Sequence, residues 1–325
     1  MQKNFSRFDK RIWKKYNRRN FCKSVINFGL AKIKLSNKAI ISKYENELDL
    51  YATQEKIKEF ILASKPALIA RFGSNEARCT AEAIGIRLRA KKHFREKTSL
   101  LINRNAGVFP KTEEFLMRYG EISERSARNI DLLGEWSSYM QDYLVKNICK
   151  KDVLLTKLKN LEPYYSTNPW TSALKGKKVL VIHPFKETIE SQYKKRKLLF
   201  KDEDFLPDFD LKVLKAVQTI ANVKDARFNT WEEALNYMFE EACKIDFDVA
   251  IIGCGAYGMP LASMLKDAGK VAIHLGGATQ ILFGIKGNRW ETHPVISKLF
   301  NEHWVRPNER ETPSSASNIE NSCYW

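Results

Sequence analysis

The sequence predicts an α/β fold: a Rossmann-like parallel sheet flanked by helices, preceded by a basic N-terminal helical arm. Three observations carry that prediction. Short all-apolar runs, ALIA at 67–70, VLVI at 179–182 and VAII at 249–252, read as strands buried on both faces, as parallel sheets require. Helical stretches alternate with them, which argues for right-handed β-α-β units. Several runs end on a charged residue or a glycine turn, and open α/β sheets place their chemistry at such strand ends.

In chain order, residues 46–64 read as a helix and 66–72 as a buried strand. ARCTAEAIGIRLRA follows as a helix, with Ser74 as its N-cap and Glu76 in its first turn. Residues 111–160 read as several helices with little strand signal, and LEPYYSTNPW as a loop between two halves. GKKVLVIHPF is a strand, ETIESQYKKRKLLF a helix, DEDFLPDFD a loop and LKVLKAVQTI a strand. WEEALNYMFEEACKI is a helix capped by Thr230. DFDVAIIGCG is a strand, MPLASMLKDAG a helix closed by Gly269, and KVAIHLGG a further strand. Residues 311–325 read as a disordered, Ser/Asn-rich tail.

The 325 residues, 44% hydrophobic and 11% aromatic, suffice for one large α/β domain or two smaller ones. Six cysteines without C-x-x-C or Cys/His metal spacing read as reduced thiols of a cytosolic protein. No secretory apolar region and no run of about 18 apolar residues is present, so no span is expected. The location expected is cytoplasmic, or peripheral on the inner face of the cell membrane.

Charge is unevenly placed. Residues 1–43 hold 13 Lys/Arg against Asp9 alone, so the arm carries +12 of the net +17 and the other 282 residues +5. A specific nucleic-acid reader would spread its charge over a folded face, so none is expected. The arm is also aromatic, and Phe5, Phe8, Ile12 and Tyr16 fall on one helical stripe. Such a stripe beside Lys/Arg suits an anionic membrane surface; a solvated extension and a partner-protein contact are the alternatives.

Gly253-Cys-Gly255-Ala-Tyr-Gly258 has dinucleotide-loop spacing between strand and helix. A dinucleotide site needs an acid ending the next strand; here that strand ends on His274, followed by Leu275, Gly276 and Gly277. The loop therefore reads as a phosphate or sugar-nucleotide cradle, with a structural tight turn or an NAD(P)/flavin oxidoreductase as alternatives. His183 and His274 occupy equivalent strand ends. GGATQILFGIKGNRW adds Gln280, Lys286 and Arg289, cations suited to a departing diphosphate. Arg71, Gly73, Ser74 and Glu76 end the first strand in a polar turn.

That turn, RFGSNE, resembles the R-[FY]-G-D-G-E segment of bacterial glycosyltransferases with the GT-D fold, the family formerly known as domain of unknown function 1792. Later blocks are similar in the same order: NRNAGVFP, PWTSALKGKKVLVIHPF, DFDVAIIGCGAYGMPLA and HLGGATQILFGIKGNRW, over roughly residues 50–292. The resemblance does not extend to the arm or the tail, and the organisation expected is a basic aromatic arm at 1–45, a GT-D-like domain at 46–305 (halves 46–165 and 175–305) and a flexible tail at 306–325. It implies transfer of a sugar from a nucleotide-sugar donor, UDP-linked, to a glycan or lipid-linked acceptor in surface polysaccharide biosynthesis. Donor contacts then fall on Arg71, Phe72, Gly73, Ser74, Asn75, Asn105, Gly253, Gly255, Ala256, Tyr257, Gly258, His274, Gly276, Gly277, Gln280, Lys286 and Arg289. Glu76, His183 and Glu187 are the catalytic candidates. The family's Asp is Ser74 here and its middle Gly is Asn75, so only Glu76 carries over as a ligand for Mn²⁺ or Mg²⁺. A non-catalytic membrane-surface module remains the third alternative.

Overall fold

The computed structural model describes residues 7–32, 44, 47–220, 223, 225–314, 316 and 322–325. The chain runs α1 (Arg7–Lys32), β1 (Glu47–Leu48), α2 (Leu50–Leu62), β2 (Ala67–Arg71), α3 (Ser74–Arg87), α4 (Glu96–Ala106), α5 (Glu113–Arg128), β3 (Leu132–Glu135), α6 (Gln141–Asn147) and β4 (Leu154–Lys157). It continues with β5 (Lys178–His183), α7 (Lys186–Tyr193), α8 (Arg196–Leu199), β6 (Asp210–Lys215), α9 (Trp231–Cys243), β7 (Val249–Ile252), α10 (Gly258–Asp267), β8 (Val271–His274) and α11 (Asn288–Glu291). Short 3₁₀ turns fill many of the connections.

The strands form one eight-stranded sheet in the order β1-β4-β3-β2-β8-β7-β5-β6. Every pairing in it is parallel. The first half of the sequence supplies β1–β4 and the second β5–β8. The two meet where Ala67, Leu68 and Ile69 pair with Val271, Ala272 and Ile273. Because all strands point the same way, their carboxyl ends line one edge of the sheet.

Burial alternates along each strand. Leu68, Ala70, Leu180, Ile182, Ala250 and Ile252 face one core, and Ala67, Ile69, Val179, Val181, Val249 and Ile251 the other. A strand buried on both faces has no polar positions, which is why these runs are continuously apolar. The α9 cap is as expected: the Thr230 hydroxyl accepts from the Glu233 N–H.

Four features differ from the sequence expectation. The 111–160 stretch holds two strands, β3 and β4, within what reads as helix. Both are four-residue, leucine-rich segments; their strand state comes from pairing with β2 and each other, not from intrinsic propensity. Asp131 fixes the start of β3: its carboxylate accepts from the Leu68 N–H at 2.7 Å and ion-pairs Lys150 and Lys266 at 2.7 and 2.8 Å. The N-cap of α3 is Gly73, in extended backbone, with Ser74 the first helical residue. Ser74 is therefore not held at that position by a capping role.

The described part of the tail is docked. Glu311 is buried, and its carboxylate accepts from the Glu187 and Thr188 N–H groups at 2.6 and 3.2 Å, satisfying the first turn of α7. Cys323 and Trp325 are buried in the second core. Asn288 and Arg289 N–H groups donate to the Trp325 and Cys323 carbonyls.

The arm corrects its stripe in a similar way. Ile12 and Tyr16 pack against the first core and Trp13 is buried in it, its Nε1–H donating to the Ala81 carbonyl at 2.9 Å. Asn20 donates to Asp142 at 2.8 Å and accepts from the Met140 N–H at 3.0 Å. Ile12 and Tyr16 thus face protein rather than a bilayer. Phe5 lies outside the described residues, as do the side chains of Phe8 and Phe28. Phe21, Val25 and Ile26, further along α1, are exposed.

Docking of the arm yields an expectation with an inverted sign. Gly→Ala inside a helix ordinarily stabilises by about 1 kcal/mol. A Cβ at Gly85 in α3, however, would meet the Trp13 ring at 2.4 Å. Gly85→Ala is expected to destabilise the wild type and to release the arm to trypsin. In a Trp13→Ala background the same change is expected to be neutral or stabilising in urea unfolding. Equal effects in both backgrounds would refute the docking.

Candidate active site

A cavity of about 850 Å³ opens at the carboxyl edge of the sheet. Its wall takes Arg71 from β2, Glu135 from β3, Lys157 from β4, His183 from β5 and His274 from β8. The turns after β2 and β7 both reach it, through Gly73–Glu76 and Gly253–Gly255. These turns, far apart in sequence, share one cavity because β2 and β7 flank β8.

Most residues singled out from the sequence lie on this wall: Arg71, Gly73, Ser74, Asn75, Glu76, Asn105, His183, Gly253, Gly255, Tyr257, His274, Gly276, Gly277, Gln280 and Arg289. Others do not. Phe72 and Ala256 are buried in the first core, and Gly258 lies beneath the His274 ring. Glu187 is off the wall, at the start of α7 where its N–H is taken by Glu311. Lys286 is off it too: its N–H is bound to the Val305 carbonyl and its ammonium sits 5.5 Å from the Phe300 ring centre. Those two corrections remove one base candidate and one diphosphate cation.

The three loop glycines serve three needs. A Cβ on Gly253 would meet His183, the Gly276 carbonyl and Thr279 at 2.6–2.7 Å. Gly255 has φ +59 and open space around it. A Cβ on Gly258 would strike the His274 ring at 2.3 Å. Tyr257 fixes the far side, stacking on Trp231 at 4.7 Å and 9° and meeting the Thr219 hydroxyl at 3.0 Å.

Both histidines are buried and neutral. Burial lowers the His183 pKa to about 3, and its Nδ1 accepts from the Phe185 N–H at 3.0 Å. His274 is lowered to about 3 by burial first and the Arg71 charge second. His274 stands where a dinucleotide site places a carboxylate for the ribose hydroxyls of NAD, and a neutral imidazole offers one acceptor nitrogen in place of two carboxylate oxygens.

Beside Gly73 the Glu76 carboxylate lies folded back over the backbone, within 2.2 Å of the position a Cβ would take. The Arg71 guanidinium stands 5.1 Å over the Trp136 ring, whose Nε1–H donates to the Phe72 carbonyl at 2.8 Å. Arg289 lies 4.8 Å from the Tyr324 ring centre. The Gln280 amide ties its loop to the C-terminal segment, donating to the Tyr324 carbonyl at 3.0 Å.

Several wall residues escaped the sequence reading: Glu135, Trp136, Lys157, Glu162, Tyr165, His293, Tyr324 and Trp325. Burial raises the Glu135 pKa, with Lys157, 3.5 Å away, opposing. A signal for Glu135 and Trp136 was present: LLGEW at 132–136, like LIARF at 68–72, is an apolar run ending on a charge and then an aromatic. No comparable signal marked Tyr324 and Trp325 in a Ser/Asn-rich tail.

Among the described residues no three His, Cys, Asp or Glu side chains are grouped to hold a metal ion. The donor set near Glu76 therefore does not make a protein-built metal site; a divalent ion there would depend on oxygens of a bound diphosphate. Nor is any helix among the described residues long and apolar enough to cross a membrane.

No protein-family profile and no curated protein matches the chain. Two solved structures are similar to it, one described as "The highly conserved domain of unknown function 1792 has a distinct glycosyltransferase fold", TM-score 0.41. The other is a selenomethionine-substituted structure of domain of unknown function 1792, TM-score 0.43. Each is 12% identical and covers 81% of this chain and 96% of its own.

Proposed function

We propose that the chain is a glycosyltransferase that moves a sugar from a nucleoside diphosphate, UDP, to a hydroxyl of a growing glycan in surface polysaccharide assembly. The observation carrying this reading is the convergence of the Arg71–Glu76 and Gly253–Gly255 turns on one cavity of about 850 Å³, within the size range of small-ligand sites. In this reading the Arg71 and Arg289 guanidinium groups and the backbone N–H groups at Gly255–Tyr257 neutralise the departing diphosphate. Glu76 and Ser74 orient the ribose, and Glu76 is the carboxylate available to a diphosphate-bound Mn²⁺ or Mg²⁺. Trp136, 37% exposed, offers an aromatic face to the sugar or base. A lipid-linked acceptor fits the arm: Arg18, Phe21 and Val25 share a face of α1, and Phe21, Val25 and Ile26 are exposed among basic residues. Such a face suits an anionic membrane surface.

Thermal unfolding with UDP, GDP, dTDP and NAD(H), each with and without Mn²⁺, tests the reading. A nucleoside diphosphate at a hundredfold excess over its Kd stabilises by about 2.7 kcal/mol, and one of the panel is expected to do so while NAD(H) does not. A shift with NAD(H) alone would replace this reading with the oxidoreductase.

A further inference from the structure

Glycosyl transfer to a hydroxyl needs a base, and the sequence candidates fit that role poorly. Glu187 is off the cavity wall, His183 is a neutral imidazole with Nδ1 occupied, and Glu76 is turned back over Gly73. We propose that Glu162, on the turn following β4, is the catalytic base that takes the proton from the acceptor hydroxyl. This rests on the glycosyl-transfer reading of the same cavity.

Glu162 shares one cavity with the Arg71–Glu76 and Gly253–Gly255 turns. It lines the cavity together with Tyr165 and His293, whose Oη and Nε2 are 3.5 Å apart. It lies within the field of the Arg71 guanidinium. Arg71 in turn reaches the β8 turn: its Nη1 is 3.6 Å from the position a Cβ of Gly276 would take. One cation thus links the diphosphate-side turn to Glu162 across the cavity. The carboxyl is also suited in strength. Burial raises its pKa to about 7, partly offset by the nearby Tyr164 hydroxyl, which lacks a hydrogen bond of ordinary geometry, and by Arg71. Around it stand Arg71 from β2 and Tyr164 and Tyr165 from its own turn. The other charged or titratable wall groups are Glu76, Glu135, Lys157, Lys159, His183, Cys254, Tyr257, His274, Arg289, His293 and Tyr324. A base with a pKa near the working pH is effective because it combines availability with driving force.

The step balances within the ternary complex. The Glu162 carboxylate accepts the hydroxyl proton as the acceptor oxygen bonds to the anomeric carbon. The bond from that carbon to the diphosphate oxygen breaks, its electron pair leaving with the diphosphate. Glu162 then returns its proton to water. Below about pH 7 the group is protonated and no base is present; above it the carboxylate is available.

Release of UDP from UDP-glucose, UDP-galactose and UDP-N-acetylglucosamine, with water as acceptor, is followed between about pH 5 and 9. The wild-type rate is expected to rise through about pH 7. Glu162→Gln is expected to lower the plateau by ~10²–10⁴-fold and to abolish the inflection, with the UDP thermal shift intact. Glu162→Asp is expected to restore part of the rate with a displaced inflection, which a purely structural role would not produce. Infrared difference spectra should show a protonated-carboxyl band titrating near neutral pH in the wild type and absent from Glu162→Gln. A Glu162→Gln variant that keeps its inflection and stays within about threefold of wild type, or a missing carboxyl band, overturns the assignment alone. Failure of the wild type to bind any nucleoside diphosphate or release UDP overturns the glycosyl-transfer reading, and the base assignment with it.

Discussion

Gly73→Ala is expected to cost the protein most of its activity while leaving it folded. The backbone at Gly73, φ −76 and ψ 152, is open to any residue. As the N-cap of α3 it makes no side-chain hydrogen bond, so replacing Gly by Ala there costs less than about 1 kcal/mol. What the methyl group meets is the Glu76 carboxylate, whose Cδ and both oxygens lie 2.1–2.2 Å from the Cβ position. The carboxylate is the far end of a side chain with several rotatable bonds, so it swings away and the fold remains. Misplacing a positioning group by about 1 Å costs on the order of 10²-fold in rate. UDP release should therefore fall about 100-fold with little change in melting temperature, and Glu76→Ala should add little to a Gly73→Ala background because both remove the same placement. A Gly73→Ala enzyme as active as wild type would show that the Glu76 carboxylate needs no fixed position.

What the sequence made legible follows physical lines. Strands β2, β5, β7 and β8 were readable because burial on both faces leaves no polar position to interrupt the apolar run. Strands β3 and β4 were not, because four leucine-rich residues next to helical segments have no period of their own; β2 and the Asp131 staple decide their state. The same blindness hid Glu135, Trp136, Lys157 and Glu162, since they are site residues only if β3 and β4 are strands. Glu187 and Lys286 stood within two or three residues of true wall positions, yet a helix start and a backbone bond to Val305 turn them elsewhere. In the arm, helical periodicity correctly grouped Ile12 with Tyr16. Periodicity gives a face and not its neighbour, and the neighbour proved to be the protein itself. Tyr324 and Trp325 were lost to composition: an aromatic pair in a polar tail can anchor a segment whose average predicts no core.

The loop glycines allow a sharper test, because they make opposite demands on a methyl group. At Gly255 the surrounding space is empty but φ is +59. Gly255→Ala therefore meets only the left-handed backbone penalty, about 1–2 kcal/mol. At Gly253 the methyl group meets a wall from three directions: His183 Cδ2 at 2.6 Å, the Gly276 carbonyl at 2.7 Å and the Thr279 hydroxyl at 2.7 Å. None of these is a flexible end. His183 is held by the Phe185 N–H, Gly276 belongs to the turn leaving β8, and Thr279 is fully buried. Overpacking of this kind costs about 1–3 kcal/mol and more where backbone is involved. Gly253→Ala should lie at or above the top of that range, lowering the urea midpoint well below that of Gly255→Ala with the slope unchanged. It should also weaken UDP binding, since the methyl forces apart the β7 and β8 turns that line the cavity. Gly255→Ala leaves that spacing alone and keeps its backbone N–H, so it should weaken binding less. If instead Gly255→Ala proves the more destabilising of the two, the close packing of His183 on Gly253 is wrong, and the cavity floor with it.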